Sequence, residues 1–265
     1  MTKTLFFALI ISVLTISCTQ ESAWHVHSTH SEYIEVDSNT APTEDSVMLR
    51  EIMPYKQHLD SSMNIIIAYS NKEYFKKKPN GTLNNIVCDM VFDVIEKRYK
   101  DSPFKPDLCL LNYGGLRRPL PKGKIVISDI YQLMPFQNES VICRLSGKQM
   151  NKMFDYLAKT NGQPIGNMMV YYDKGIFQKA IIANELYDST KTYNVLTSDY
   201  TAKGGDHMDF FLSADTTIKC GSLLRNDIFT YIAALEDSTL QASEKDRIIF
   251  KNENQSSQNN NRNAK

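Results

Sequence analysis

The sequence predicts an α/β domain, of α+β character in its late strands, on a mixed β-sheet flanked by helices and occupying residues 46–250 of 265. Three observations carry that prediction. Segments with a 3.6-residue apolar period alternate with short β-branched runs. Adjacent extended segments crowd the stretch 165–198, and 42% hydrophobic content with 10% aromatics is enough to bury a core. Thirty Lys+Arg offset thirty Asp+Glu to a formal net charge of zero, which excludes the uniform cationic field of a general nucleic-acid binder. No nucleic acid polymer is expected as a partner, and any anion site has to be built locally.

The chain begins with Lys3, an apolar run from Leu5 to Leu14, and then Thr15-Ile16-Ser17-Cys18. A bilayer-spanning helix needs about 20 apolar residues, so this run fits a signal-peptide core instead. Small Ser17 before Cys18 resembles the bacterial lipobox, in which the Cys is lipidated. The expectation is a signal peptide at 1–17, lipid attachment at Cys18 and a flexible lipidated tether over 18–45. That would export the chain to the bacterial cell envelope and anchor it to a membrane on its periplasmic or outer-surface face. The alternative is an ordinary secretory signal with an incidental Cys. His25, His27 and His30 lie in the tether and read as a solvated tail unless a fold gathers them on a metal. Residues 251–265 are Asn/Gln/Ser-rich and read as a disordered tail.

Within 46–250, Val47, Leu49, Ile52 and Met53 start a helix that Pro54 can kink before it ends near 58–61. Ile65 to Tyr69 reads as a buried strand. Leu83, Ile86, Val87, Met90, Val91, Val94 and Ile95 keep an i, i+3, i+4 rhythm for over three turns, the strongest helix signal in the chain. Asp107 to Asn112 is a strand ended by Gly114-Gly115. Ile125 to Ile127 is a short strand before a helical turn initiated by Ser128. Ser140 to Leu145 is a strand, and Ser146-Gly147-Lys148-Gln149 has the form of a capping box opening a helix to about Ala158. Strands follow at Met168–Tyr172, Phe177–Ala183 and Tyr193–Thr197, and a final helix at about Leu223–Leu235. Cys88, Cys109, Cys143 and Cys220 sit inside apolar segments without paired spacing. They read as buried free thiols, although an envelope location permits disulfides.

Three loops carry the candidate chemistry. In Asn112-Tyr113-Gly114-Gly115-Leu116-Arg117, paired glycines admit a ligand close to the backbone and an Arg can grip phosphate bidentately. Alone, the same segment reads equally as a surface turn. Met134-Pro135-Phe136-Gln137-Asn138 sets a ring and an amide beside a rigid Pro. Ser198 to Asp206 adds a second ring, Tyr200, and a carboxylate, Asp206, behind Gly204-Gly205. Two rings, an Arg, amides and an Asp suit a nucleotide, although either ring alone could be a core residue.

In this order, Asn-x-Gly-Gly-[Ile/Leu]-Arg, Leu-x-Pro-Phe-x-Asn and Asp-[Phe/Tyr]-x-Ala-x-Gly-Gly-Asp resemble the C-terminal substrate-binding domain of the 5′-nucleotidase/UDP-sugar hydrolase family. Leu145 to Met150 and Asn85 to Asp89 resemble two of its helix starts, so the likeness spans about 80–235. It implies a mixed α/β fold. It also implies that Phe136 and Tyr200 stack on the base, Asn112 and Asn138 bind its edge, Arg117 takes the phosphate and Asp206 the ribose. Gly114, Gly115, Gly204 and Gly205 would be substrate-binding residues as well. Two departures stand out. Lys76 to Lys78 occupy the region where the family often carries an Arg, and His207 replaces a usual Gly. The di-metal motifs that such enzymes carry in a separate metallophosphatase domain are not found, so no catalytic or metal residue and no cofactor is expected in this chain. The expected function is nucleotide recognition in nucleotide catabolism, with a nucleoside monophosphate as ligand. A separately encoded metallophosphatase chain would hold the divalent metals and do the hydrolysis. The alternative is a non-catalytic nucleoside- or nucleotide-binding envelope lipoprotein.

Overall fold

The computed structural model describes residues 26–33, 35 and 45–251. The chain divides into two units, Met1–Glu51 and Ile52–Lys265. The expected signal peptide, Cys18, His25 and the residues from 252 onward lie outside the described residues. In the first unit, residues 26–33 are exposed, and helix α1 (Ser46–Met63) begins at the unit's end. The Asp45 carboxylate caps it, accepting from the Val47 N–H at 2.9 Å. The helix passes through Pro54 and ends at Met63, beyond the expected 58–61, and none of its side chains is buried.

The second unit carries, in chain order, β1 (Ile66–Ser70), α2 (Thr82–Arg98), β2 (Leu108–Leu110), β3 (Gly123–Val126), α3 (Ile127–Leu133), β4 (Glu139–Ser146) and α4 (Gly147–Lys159). There follow β5 (Ile165–Gly166), β6 (Met168–Asp173), β7 (Ile176–Ile182), β8 (Glu185–Leu186), β9 (Thr192–Ser198) and the single-turn α5 (Asp199–Ala202). The remaining elements are β10 (Thr216–Leu223), α6 (Leu224–Ala233), β11 (Thr239–Leu240) and β12 (Ile248–Lys251). This is the mixed α/β architecture that the alternating pattern predicts.

A five-stranded sheet, in the order β10-β4-β9-β2-β5, forms its centre. Strands β2 and β9 run parallel, while β4 is antiparallel to β9 and β10 to β4. Both faces of this sheet are covered, so the period-2 alternation sends side chains into two different cores. Cys109, Leu111, Ile142 and Leu196 join α2, α3 and α6 in one core. Leu108, Leu110, Val141, Cys143, Leu145 and Val195 join α4, β6 and β7 in the other. A three-stranded sheet, β11-β1-β3, borders the first core and a four-stranded sheet, β12-β6-β7-β8, the second.

Helix α2 matches its apolar rhythm, with Leu83, Ile86, Val87, Met90, Val91, Val94 and Ile95 all buried. Lys97 and Arg98 complement the dipole at its C-terminal end. Other expectations are corrected. Strand β1 is half-exposed rather than buried, because Ala68 and Ser70 face inward while Ile66 and Tyr69 face solvent. Helix α3 is capped by Asp129, which accepts from the Val126 N–H at 2.8 Å, and not by Ser128. The Ser146–Gln149 capping box is present as expected: Gln149 Oε1 accepts the Ser146 N–H at 2.6 Å and also the Ser146 hydroxyl at 2.7 Å. Strand β10 has no counterpart in the sequence prediction, since Thr216-Thr217-Ile218-Lys219 is the polar pattern of a sheet edge. Cys88, Cys109, Cys143 and Cys220 are free and buried, and burial pushes the Cys143 and Cys220 thiols up to about 11.

Asp227 on α6 binds these layers together. Its fully buried carboxylate accepts from the Ser140 hydroxyl on β4 at 2.5 Å and the Ser222 hydroxyl on β10 at 3.0 Å, and pairs with Arg98 on α2 at 3.1 Å. Asp227→Ala leaves the buried Ser140 hydroxyl without its charged acceptor. The expected loss is about 2–3 kcal/mol in a urea unfolding curve, and an unshifted midpoint would refute this role.

Candidate functional site

The parallel pairing of β2 with β9 puts the carboxyl ends of both strands at the same end of the sheet. The Asn112–Arg117 loop leaves β2 there, and the Asp199–Asp206 segment leaves β9 there. Strand β4 runs the other way, with Ser140 opposite Ser198, so its entry loop, Met134–Asn138, arrives at that end too. Segments far apart in sequence are thereby delivered to one place. The crevice beyond the carboxyl ends of strands is where open α/β sheets commonly take ligands.

Of the residues singled out in the sequence, Asn112, Gly114, Gly115, Arg117, Phe136, Asn138, Tyr200 and Asp206 line one cleft of about 320 Å³. Gly204 and Gly205 are not on its wall. They form the turn on which the Tyr200 ring rests, and a Cβ on Gly205 would stand 2.5 Å from that ring. Gly204, at φ 83°, has the left-handed conformation that favours glycine. Gly115 allows the buried Asn112 amide to fold back against its own loop, since a Cβ there would lie 2.9 Å from Asn112 Oδ1.

The two rings that flank the cleft are open to solvent, Phe136 at 51% and Tyr200 at 43%. Neither is a core residue. The Arg117 guanidinium lies 5.9 Å from the Phe136 ring centre and 3.5 Å from the Gly114 carbonyl. Asp206 is held by its neighbours: Asn112 Nδ2 donates to Oδ2 at 2.7 Å and the Tyr200 hydroxyl to Oδ1 at 2.8 Å. One Asn112 N–H is therefore directed at Asp206.

The exposed rings stand on buried supports. Beneath Tyr200, the buried side chains of Thr197, Ser198 and Thr201 form a hydroxyl cluster, with Ser198 Oγ capping α5 by accepting from the Thr201 N–H at 3.1 Å. Beneath Phe136, the Arg225 guanidinium donates to the Met134 carbonyl at 3.0 Å and the Pro135 carbonyl at 3.3 Å, and the Leu224 N–H donates to the Asn138 carbonyl at 2.9 Å. The Arg117 N–H reaches the Leu133 carbonyl at 2.8 Å, and the Glu139 N–H reaches Asp199 Oδ1 at 3.0 Å. Together with the Asn112–Asp206 bond, these contacts tie the three loops and their flanks together pairwise.

Four contributors escaped the sequence reading. Arg225 sits in a helix whose period says only that it is helical. Gln163 accepts the Tyr113 N–H at 2.8 Å and donates to the Tyr156 hydroxyl at 3.4 Å, and Tyr156 in turn donates to the Asp206 carbonyl at 2.8 Å. Burial, with the Asp206 charge, pushes Tyr156 up to about 12, so it remains a donor. Lys76 donates to the Leu116 carbonyl at 2.7 Å and lies 4.5 Å from the Tyr113 ring centre. Burial and then the nearby Arg117 charge lower its pKa, so two cations adjoin the Gly114-Gly115 turn. The only hint of Lys76 in the sequence was its place in the Lys76–Lys78 run.

Among the described residues, no three His, Cys, Asp or Glu side chains gather as a metal-binding group. A second cleft of about 330 Å³, lined in part by Phe92, Met168 and Asn184, lies apart from this site. Its partly buried Arg247 is already paired with Asp89 at 2.6 Å, and its wall presents no exposed ring pair.

Comparison with known proteins agrees with this fold. The profile of the family described as 5′-nucleotidase, C-terminal domain, matches residues 66–213. The chain is 23% identical over 180 residues to a snake venom 5′-nucleotidase of Macrovipera lebetinus, covering 58% of this chain and 44% of that protein. Protein UshA of Yersinia enterocolitica is 23% identical over 222 residues, 78% of this chain and 38% of that one. In fold, the chain resembles a 5′-nucleotidase precursor from Thermus thermophilus with a TM-score of 0.65 at 20% identity, over 81% of this chain and 45% of that one. The chain thus spans less than half the length of these relatives. The profile match runs from β1 through all three loops and takes in more than half of the sequence, and the chain belongs to the 5′-nucleotidase C-terminal domain family.

Proposed function

We propose that this chain is the nucleotide-recognition part of a 5′-nucleotidase-type phosphoesterase, holding a nucleoside monophosphate while a separate metallophosphatase chain hydrolyses it. The observation that carries this reading is the pair of solvent-exposed rings, Phe136 and Tyr200, on one cleft with Arg117 and Asp206. Exposed apolar surface gathered in one cleft, rather than scattered singly, is the mark of a ligand-binding groove. Phe136 and Tyr200 stack on the base, with Asn138 and the second N–H of Asn112 at its edge. Asp206 accepts from the ribose, and Arg117 with Lys76 takes the phosphate. The chain's own contribution to the reaction is orientation: base and sugar are held so that the phosphate lies where a second chain can reach it. The described residues do not fit a di-metal centre, because they bring no metal-binding group together, and the activated water is assigned to the partner. Export and anchoring through Cys18 complete the proposal and place nucleotide breakdown at the cell envelope.

Calorimetry with AMP tests the site. Phe136→Ala removes one stacking face and is expected to cost about 1–3 kcal/mol, roughly 5- to 150-fold in Kd. Absence of binding by the unmodified chain at millimolar AMP would sink the reading. For the division of labour, the purified chain supplied with Zn²⁺ or Mn²⁺ is expected to release no phosphate from AMP above a metal-only control. Adding the metallophosphatase should produce turnover that drops with Arg117→Ala. Turnover by the chain alone, abolished by a chelator, would overturn that division. Binding of AMP with no turnover in the mixture would instead support a non-catalytic envelope binding protein. The anchor is tested by fractionation and palmitate labelling in cells: the unmodified chain should label and sediment with membranes, and Cys18→Ser should do neither. A soluble, unlabelled wild-type chain would refute the anchor.

A further inference from the structure

We infer that the Tyr200 hydroxyl is a positioning group that sets the Asp206 carboxylate to receive two neighbouring hydroxyls, making the cleft selective for ribonucleosides over their deoxy forms. The inference rests on the nucleotide reading above and extends it to the sugar. Asp206 has left-handed backbone at φ 53°, ψ 30°, and His207 follows at φ 61°. Consecutive non-glycine residues persist in that region only where their surroundings over-determine them. The Tyr156 hydroxyl holds the Asp206 carbonyl at 2.8 Å. The Tyr200 hydroxyl does more, since it accepts the Asp206 N–H at 3.3 Å and donates to Oδ1 of the same residue at 2.8 Å. One hydroxyl therefore fixes the backbone and the carboxylate of Asp206 relative to each other. The ring beneath that hydroxyl cannot shift toward the turn, because it already lies on Gly205.

The remaining acceptor capacity of the carboxylate decides what it can hold. An ionised carboxylate has about four acceptor sites, two on each oxygen. Tyr200 occupies one on Oδ1 and Asn112 occupies one on Oδ2 at 2.7 Å. One site is left on each oxygen, side by side, and both belong to a group that neither clamp allows to rotate. Two adjacent acceptors suit two adjacent donors, the vicinal 2′- and 3′-hydroxyls of a ribose. A 2′-deoxy or 3′-deoxy sugar offers one donor and leaves the other acceptor dry beneath the ligand. A phenylalanine at position 200 would supply the same stacking face but would release Oδ1, and the carboxylate could then turn to meet a single hydroxyl equally well.

The experiment is calorimetry of the full chain with adenosine, 2′-deoxyadenosine and 3′-deoxyadenosine, repeated on Tyr200→Phe. The unmodified chain should bind adenosine about tenfold or more tightly than either deoxy form, the value of one hydrogen bond to a charged acceptor. In Tyr200→Phe the preference should shrink to about twofold, with affinity for the deoxy forms kept within a factor of about three. A general loosening of the loop would instead weaken all three ligands alike, and that result overturns the positioning role. Equal affinity of the unmodified chain for the three nucleosides overturns the inference and leaves the nucleotide reading standing. Binding of none of them removes that reading and the inference with it. Undiminished preference in Tyr200→Phe overturns the role of the hydroxyl. Should Tyr200→Phe fail to fold in a thermal melt, Tyr200→Trp keeps an aromatic face, lacks the hydroxyl and is judged by the same ratio.

Discussion

The site depends on one pairing, the parallel contact of β2 with β9 inside a sheet buried on both faces. Parallel strands bring their carboxyl ends together, so the loop after Leu111 and the turn after Ser198 are neighbours by construction. With β4 antiparallel beside them, its entry loop joins the same end. Were β9 antiparallel to β2, Tyr200 and Arg117 would emerge at opposite ends of the sheet. Two-sided burial makes the register hard to slip, because a one-residue shift would exchange the side chains of the two cores.

The loops are irregular yet held, and their supports are buried polar groups rather than apolar packing. Arg225 donates two hydrogen bonds to carbonyls of the Phe136 loop, and the Thr197, Ser198 and Thr201 hydroxyls stiffen the turn beneath Tyr200. Asp227 fixes α6 against β4 and so gives Arg225 a firm base. This arrangement lets large rings remain exposed without collapsing onto the protein. A ring retained in place in the absence of ligand loses less conformational entropy on binding.

Electrostatically the chain is neutral overall, and positive charge is gathered only locally, where Lys76 and Arg117 come together. Arg117 and Lys76 adjoin the glycine turn, and neither forms an ion pair with a carboxylate among the described residues. Burial and mutual repulsion lower the Lys76 pKa, a cost that a bound phosphate would offset by supplying the missing negative charge. The one carboxylate on the cleft wall, Asp206, is turned toward hydroxyl and amide donors. Arg117 and Asp206 therefore share the cleft without pairing with each other.

The sequence by itself determined the elements whose signals are local. The apolar rhythm of Leu83 to Ile95 specified α2, the β-branched and apolar runs specified β4 and β9, and the glycine pairs marked where loops admit a close approach. The order of the three loops pointed to the family and to the residues that line the cleft, because type and spacing there are dictated by a small set of contacts. Tertiary structure alone decided the rest. Strand β10 is too polar to read as a strand until β4 pairs with it, and β1 looks buried until its outer face is left uncovered. Arg225, Gln163, Tyr156 and Lys76 act across long separations in the chain through hydrogen bonds and charge, which leave no periodic trace. Tyr200 was legible as a ring. That its hydroxyl returns to Asp206 follows only from the turn over Gly205, where a left-handed backbone folds the carboxylate back onto it.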